Sequence, residues 1–202
     1  MSIEVLNRLR DEHRNINGLL RILERQLASI TRGDRPDYRL MYDITHYLSY
    51  YPDRYHHPYE DLLLSRLAEL RPELSTAVTG IKKEHYQIAS EGSRLRNLIG
   101  EIIDGLFVSR DELLQSGAAY VDCYRRHMQT EDDRLFTVMP VTLKPVDWVV
   151  LVSAFHWQPV PVFSEEASRE YQHLRDSIST QGAGAWPWKS VSGNTCPACS
   201  GI

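Results

Sequence analysis

Glu112 to Leu135 reads ELLQSGAAYVDCYRRHMQTEDDRL. Leu113, Tyr120, Tyr124, His127 and Leu135 recur at helical spacing, which lines one face of an α-helix. His127 and Glu131 fall four residues apart on that face, so an imidazole and a carboxylate project together from an otherwise apolar stripe. Ser109, with Glu112 three residues on, offers a capping box for the start, and Pro140 sets the end.

The same texture extends back to the first residues. Ile3, Leu6, Leu9, His13, Ile16, Leu20, Leu23 and Leu27 line one helix face, which should close near Gly33 and Pro36. A second helical region spans about Tyr38 to Leu70, with Pro52 and Pro58 as kink or break points. A third runs from Pro72 or Glu73 to about Phe107 through Val78, Ile81, His85, Ile88, Leu95, Leu98 and Ile102. Hairpin signals are missing from this sequence, so the expectation is an all-α fold: an antiparallel four-helix bundle over residues 1–140. Lys144 to Asp147 could open a short helix to Trp157, and Ser164 to Glu166 could cap another that ends near Ile178. Residues 141–180 are therefore expected to form a C-terminal helical extension, and 181–202 a flexible Gly/Ser-rich tail.

Bulk properties narrow the function. The chain has 202 residues, a net charge of −4 and interspersed acids and bases, which argues against a nucleic-acid-binding face. Its longest apolar run, Trp148 to Val152, falls far short of a membrane span, and the early charges Glu4, Arg8 and Arg10 do not fit a secretion leader. Three cysteines are too few for a disulfide framework. A cytoplasmic protein with neither nucleic-acid nor membrane partners is expected. Cys196 and Cys199 form one CxxC pair, and a zinc site would need a second pair that the chain lacks.

The chemistry concentrates on histidines. His56 is followed at four residues by Glu60, His57 by Asp61, and His127 by Glu131. Any one such pair is explained by a solvated ion pair. However, His13 and His85 also stand on the apolar faces of the first and third helices. Four helices that each turn an imidazole inward require a shared partner, because buried polar groups without one cost a few kcal/mol each. Four imidazoles and two carboxylates exceed one tetrahedral zinc and fit two ions bridged by Glu60 and Glu131. The ferritin-like pattern needs two Glu-x-x-His motifs, whereas only Glu170 and His173 supply one. His46, His156 and His173 read as peripheral. Tyr120 and Tyr124 read as core residues one and two turns from His127.

In order, Glu12-His13, His56 to Asp61, Glu84-His85 and His127 to Asp132 resemble the hemerythrin-like (HHE cation-binding) family, and Tyr51 to Pro58 looks like its bacterial branch. The resemblance covers residues 1–140. It implies a non-haem di-iron centre, oxo- or hydroxo-bridged, with His13, His56, His85 and His127 as imidazole ligands and Glu60 and Glu131 bridging; zinc and manganese are weaker candidates. Oxygen carriers of that family use a fifth histidine, paired four residues apart on the third helix. Here Ala89 and Ile81 occupy the positions four from His85, so one iron should be short of a ligand unless His57 or Glu84 moves in. His57 reads first as an outer partner, as do Asp61 and Asp132.

An under-coordinated iron favours binding or sensing a small oxidant such as O2, NO or H2O2 over simple oxygen carriage. The alternatives are a redox enzyme with peroxidase-like or NO-reducing turnover, an iron donor for Fe–S repair, and a metal-free bundle that binds a protein partner.

Overall fold

The computed structural model describes residues 2–155, 162 and 171–181, and these contain helices and turns but no strand. Helix α1 spans Ser2–Arg32. It stops because Gly33 takes φ 81°, which lets Asp34 N–H reach back to Ser29 O at 2.9 Å and satisfy an end carbonyl. Asp37 then caps α2 (Tyr38–Tyr51) by accepting from Leu40 N–H at 2.9 Å.

The two prolines of the second segment do not break it. Pro52 has no N–H and its ring crowds the preceding turn. The chain responds by widening into a π-turn, Pro52–His56, in which His57 N–H bonds Pro52 O five residues back. Pro58 then falls in the first turn of α3 (His57–Leu70), where a missing N–H costs nothing. A second π-turn, Glu131–Leu135, follows α5 (Arg110–Thr130), with Phe136 N–H bonded to Glu131 O at 2.8 Å.

Between them lies α4 (Ser75–Ile103), preceded by a 3-10 turn at Pro72–Leu74. It ends four residues before the expected Phe107, because Gly105 at φ 79° admits a second 6→1 bond, Leu106 N–H to Glu101 O. The capping box expected at Ser109 is not formed. Ser109 holds the N-cap position, but its side chain makes no cap bond, and Asp111 and Glu112 serve the first turn by charge.

These helices pack as a bundle, with α1 against α2 and α5, and α4 against α2, α3 and α5. Its interior divides into two apolar clusters. One holds Leu19, Leu23, Leu27, Ile44, Tyr47, Leu95, Ile99, Tyr120 and Tyr124. The other holds Leu6, Leu9, Leu63, Leu67, Val78, Ile81, Leu135 and Phe136. The chain crosses from one to the other once in each of the four segments. At every crossing it leaves buried acids or histidines: Glu12 and His13, then His56, His57 and Glu60, then His85, then His127 and Glu131.

Among the described residues three shorter helices follow: α6 (Met139–Thr142), α7 (Pro145–Ser153) and α8 (Gln172–Gln181). Helix α7 stops at Ser153, short of the expected Trp157, which lies outside the described residues with His156, Ser164 to Glu166, Glu170, Cys196 and Cys199. Asp147 closes the first turn of α7 by accepting Lys144 N–H at 2.8 Å, and it also receives Arg66 of α3 at 2.7 Å. Trp148, Val152 and Phe155 join the second cluster, and Tyr171, Leu174 and Ile178 of the α8 region join the first. No single helix among the described residues is long and apolar enough to cross a membrane.

Two glycines of α4 give a test of this packing. A Cβ at Gly92 would lie 2.7 Å from Ser49 Oγ and 3.0 Å from the Tyr120 ring, whereas one at Gly80 meets nothing within 4 Å. Gly92→Val is expected to cost about 1–3 kcal/mol by overpacking. Gly80→Ala should instead stabilise by roughly 0.5–1 kcal/mol through helix propensity. Urea denaturation of the two metal-free variants measures both, and equal effects would contradict the packing described.

Candidate metal centre

The polar layer between the two apolar clusters is built from four helical segments. His13 comes from α1; His56, His57 and Glu60 from the π-turn and α3; His85 from α4; His127 and Glu131 from α5 and its π-turn. All are buried, Glu60 and Glu131 completely. The π-turn at Pro52 matters here, since its wider winding lets two sequence neighbours, His56 and His57, both point inward.

Two overlapping groups could hold a metal ion. One is His13, His56 and Glu60; the other is His57, Glu60, His85 and His127, with donor atoms within 4.8 Å of one another in each. Glu60 belongs to both, and its two oxygens divide between them. Oε1 lies 3.1 Å from His13 Nε2 and 3.0 Å from His56 Nε2, while Oε2 lies 3.6 Å from His85 Nε2. Glu131 spans the same gap: Oε2 is 3.5 Å from His13 and 3.2 Å from His127, and Oε1 is 3.7 Å from His85. The six residues expected from sequence are thus brought together, and His57 joins them. Its ring stacks on His85 with centroids 4.1 Å apart. Glu84 does not enter the cluster; it bonds His127 Nδ1 from outside at 3.2 Å.

Each of the five histidines presents Nδ1 to an outer carboxylate and turns Nε2 inward. His56 pairs with Glu12 at 2.8 Å, His57 with Asp53 at 3.0 Å, and His127 with Glu84. His13 Nδ1 has Asp132 at 3.2 Å and His85 Nδ1 has Asp61 at 3.4 Å, as ion-pair contacts outside hydrogen-bond geometry. Such partners fix ring orientation and tautomer and raise ligand basicity. Four of these acids are the immediate sequence neighbours of cluster residues on other helices, so each motif serves two rings. Sequence reasoning gave Glu12 and Asp53 no role; Asp53, four residues before His57 on one helix, carried the signal. His46 stacks among Tyr42, Tyr50 and Tyr171, and exposed His173 pairs with Asp43, so neither approaches the centre. Phe136 lies parallel to His13 at 5.7 Å and walls that side.

The residues fit a cation pair on a structural criterion. Nε2 of His56, His57, His85 and His127, Oε2 of Glu60 and both oxygens of Glu131 are buried without a hydrogen-bond partner. At about 1–3 kcal/mol each, these orphans together cost on the order of 10 kcal/mol, comparable with the whole stability of a domain. They approach one another closely, yet outside hydrogen-bond geometry, because their lone pairs converge on shared points. Donors about 2.1 Å from an ion at right angles stand roughly 3 Å apart, which matches the shortest separations here.

In the metal-free protein protons take the place of cations. Burial alone would push His13, His56 and His85 down. The facing carboxylates outweigh it and raise them to about 9, 10 and 11, through Asp132 and Glu60, Glu60 and Glu12, and Asp61, Glu131 and Glu60 respectively. His57 is held well below its ordinary value by burial and by the charge of His85. Burial would raise Glu60, but His56, His13 and His85 hold it well below the usual carboxylate range.

Raised imidazoles stabilise the folded state fully below their unfolded value near 6.5, and that contribution disappears as pH climbs through the folded values. The metal-free protein is therefore expected to lose stability progressively from about pH 6.5 through 9 to 11, as His13, His56 and His85 deprotonate in turn. Urea midpoints recorded across that window in chelator measure this; a flat profile would show that the three imidazoles do not carry the protons.

A family model described as the hemerythrin HHE cation-binding domain matches residues 4–139. No curated protein and no solved structure matches the chain. The matched span holds every cluster side chain and every outer carboxylate named above. By this match the chain belongs to the hemerythrin HHE cation-binding domain family.

Proposed function

We propose that the chain carries two iron ions between its apolar clusters and binds or senses a small oxidant there. The observation that carries this reading is the set of inward Nε2 and carboxylate atoms, each histidine backed by an outer acid. In this reading residues 1–140 form an antiparallel four-helix bundle, which the alternate crossing of the two clusters supports. Helices of the 141–180 extension cover it.

Glu60 and Glu131, each within reach of imidazoles from both donor groups, would hold both ions. One ion would be held by His57, His85 and His127, so that the second segment supplies the imidazole that the third lacks. The other would be held by only His13 and His56 besides the carboxylates, and this group with fewer imidazoles is the one that would leave room for O2, NO or H2O2. A buried redox metal pair supplies reversible electron exchange with such a molecule, and the apolar clusters on either side keep bulk water away. Imidazole and carboxylate donors suit iron over copper(I), and seven donors exceed a single zinc.

Iron-replete protein is expected to hold about two ions per chain and to show visible charge-transfer absorption. Less than about half an ion per chain would sink the proposal. His57→Ala should leave the His13/His56 position filled while emptying or weakening the other, so that metal content falls toward one. Asp53→Ala, which removes only the outer acid behind His57, is expected to weaken metal affinity by about 10–100-fold with the fold intact. Metal analysis with circular dichroism separates these outcomes from unfolding.

A further inference from the structure

Six of the chain's eleven tyrosines are buried: Tyr47, Tyr51, Tyr59, Tyr120, Tyr124 and Tyr171. Tyr124 stands on α5 one turn before His127, its ring 6.4 Å from that imidazole and 6.3 Å from His57. It is fully buried, and its hydroxyl has no hydrogen-bond partner. A phenylalanine would fill nearly the same volume without the roughly 1–3 kcal/mol that an orphaned hydroxyl costs. A local rule broken without compensation in the packing points to a use for the phenol.

Tyr124 is also the inner end of a series. Tyr120 packs edge-to-face on it at 5.7 Å. Tyr47 and Tyr51, on α2, are buried in the same apolar cluster as Tyr120 and Tyr124. From Tyr47 the rings continue along one helix face, to Tyr51 at 5.5 Å and on to Tyr55 at 5.3 Å. The series comes out at Tyr55 and the exposed Tyr50. There the Arg54 guanidinium lies over both rings, at 5.8 and 5.7 Å, and donates to the Tyr50 hydroxyl at 2.9 Å. The aromatic run thus joins the polar layer to a single cationic surface point.

We propose that this tyrosine series conducts one-electron oxidising equivalents from the metal centre to the surface, so that the protein reduces a peroxide at the expense of an anionic one-electron donor of the ascorbate class. The inference rests on the di-iron reading above, in which the bound metal pair supplies the point where the peroxide accepts electrons. Hydrogen peroxide takes up two electrons and two protons, its O–O bond breaks, and two waters form. Two phenols supply these, each giving up one electron and its O–H proton to become a neutral phenoxyl radical. Each radical is then refilled along the series, until two donor molecules at Tyr50 and Tyr55 have each lost one electron and one proton. The guanidinium of Arg54 favours an anionic donor at that point.

The test is freeze-quench EPR on the iron-loaded full chain mixed with hydrogen peroxide, with optical absorption recorded in parallel and ascorbate consumption followed separately. The expected result is a tyrosine-type radical that ascorbate quenches. Tyr124→Phe should keep the metal absorption and lose both the radical and the peroxide-driven ascorbate oxidation. Tyr86→Phe, an exposed position off the series, should change neither. Metal absorption without a radical, or an undiminished radical in Tyr124→Phe, overturns this proposal and leaves the di-iron reading standing. A chain that takes up no metal overturns both.

Discussion

Two carboxylates with no solvent exposure, Glu60 and Glu131, sit at the middle of a helical bundle, and the rest of the structure answers to them. A buried carboxylate without a partner costs several kcal/mol, enough to unfold a protein of ordinary stability. Here the charges are layered. Inner carboxylates face imidazoles, and the imidazoles face outer carboxylates at Glu12, Asp53, Asp61, Glu84 and Asp132. This alternation lets protons hold the layer together when cations do not, and it explains why three imidazoles are raised while His57, pressed against His85, is lowered.

The alternation is also what ties the four segments to one another. Glu12 follows the chain into His13 yet orients His56 of the second segment; Asp61 orients His85 of the third; Glu84 orients His127 of the fourth; Asp132 returns to His13. Each segment therefore contributes at least one inner donor, and one outer acid that faces a ring of a different segment. A sliding or rotation of any helix would break two contacts at once. The apolar clusters above and below provide the bulk of the burial free energy, but they tolerate small shifts, whereas this polar circuit sets the register.

Much of this was legible in the sequence, and the limits have physical causes. Helical periodicity located the four segments, because buried leucines at three and four spacing are hard to accommodate otherwise. The i to i+4 pairs His56 with Glu60 and His127 with Glu131 were visible since one helix face carries both. Less visible were the two π-turns: nothing in a residue pattern distinguishes a proline that breaks a helix from one that widens it, as at Pro52, and the turn Glu131–Leu135 has no proline to announce it. The position of His57 hid behind the same ambiguity: on a regular helix, neighbours point about 100° apart, so only one of His56 and His57 would face the interior. The ends were misjudged where backbone chemistry outranks side-chain pattern, as at Gly105, and the Ser109 hydroxyl left its expected cap bond unmade.

The inward turn of His57 bears on the centre as a whole. With it, the two donor groups that could hold a metal become unequal, with three imidazoles in one and two in the other. The walls of the two groups differ as well. The three-imidazole side is closed by stacked rings of His57 and His85 and by Tyr124; the two-imidazole side is walled by Phe136, an apolar ring that offers no donor to a ligand. In the reading proposed above, a small oxidant would bind at the two-imidazole group, while the Tyr124 ring stands at the other, 6.3 Å from that of His57 and 6.4 Å from that of His127. What the structure itself provides is the inequality of the two groups, and the π-turn at Pro52 creates it by letting both His56 and His57 turn inward.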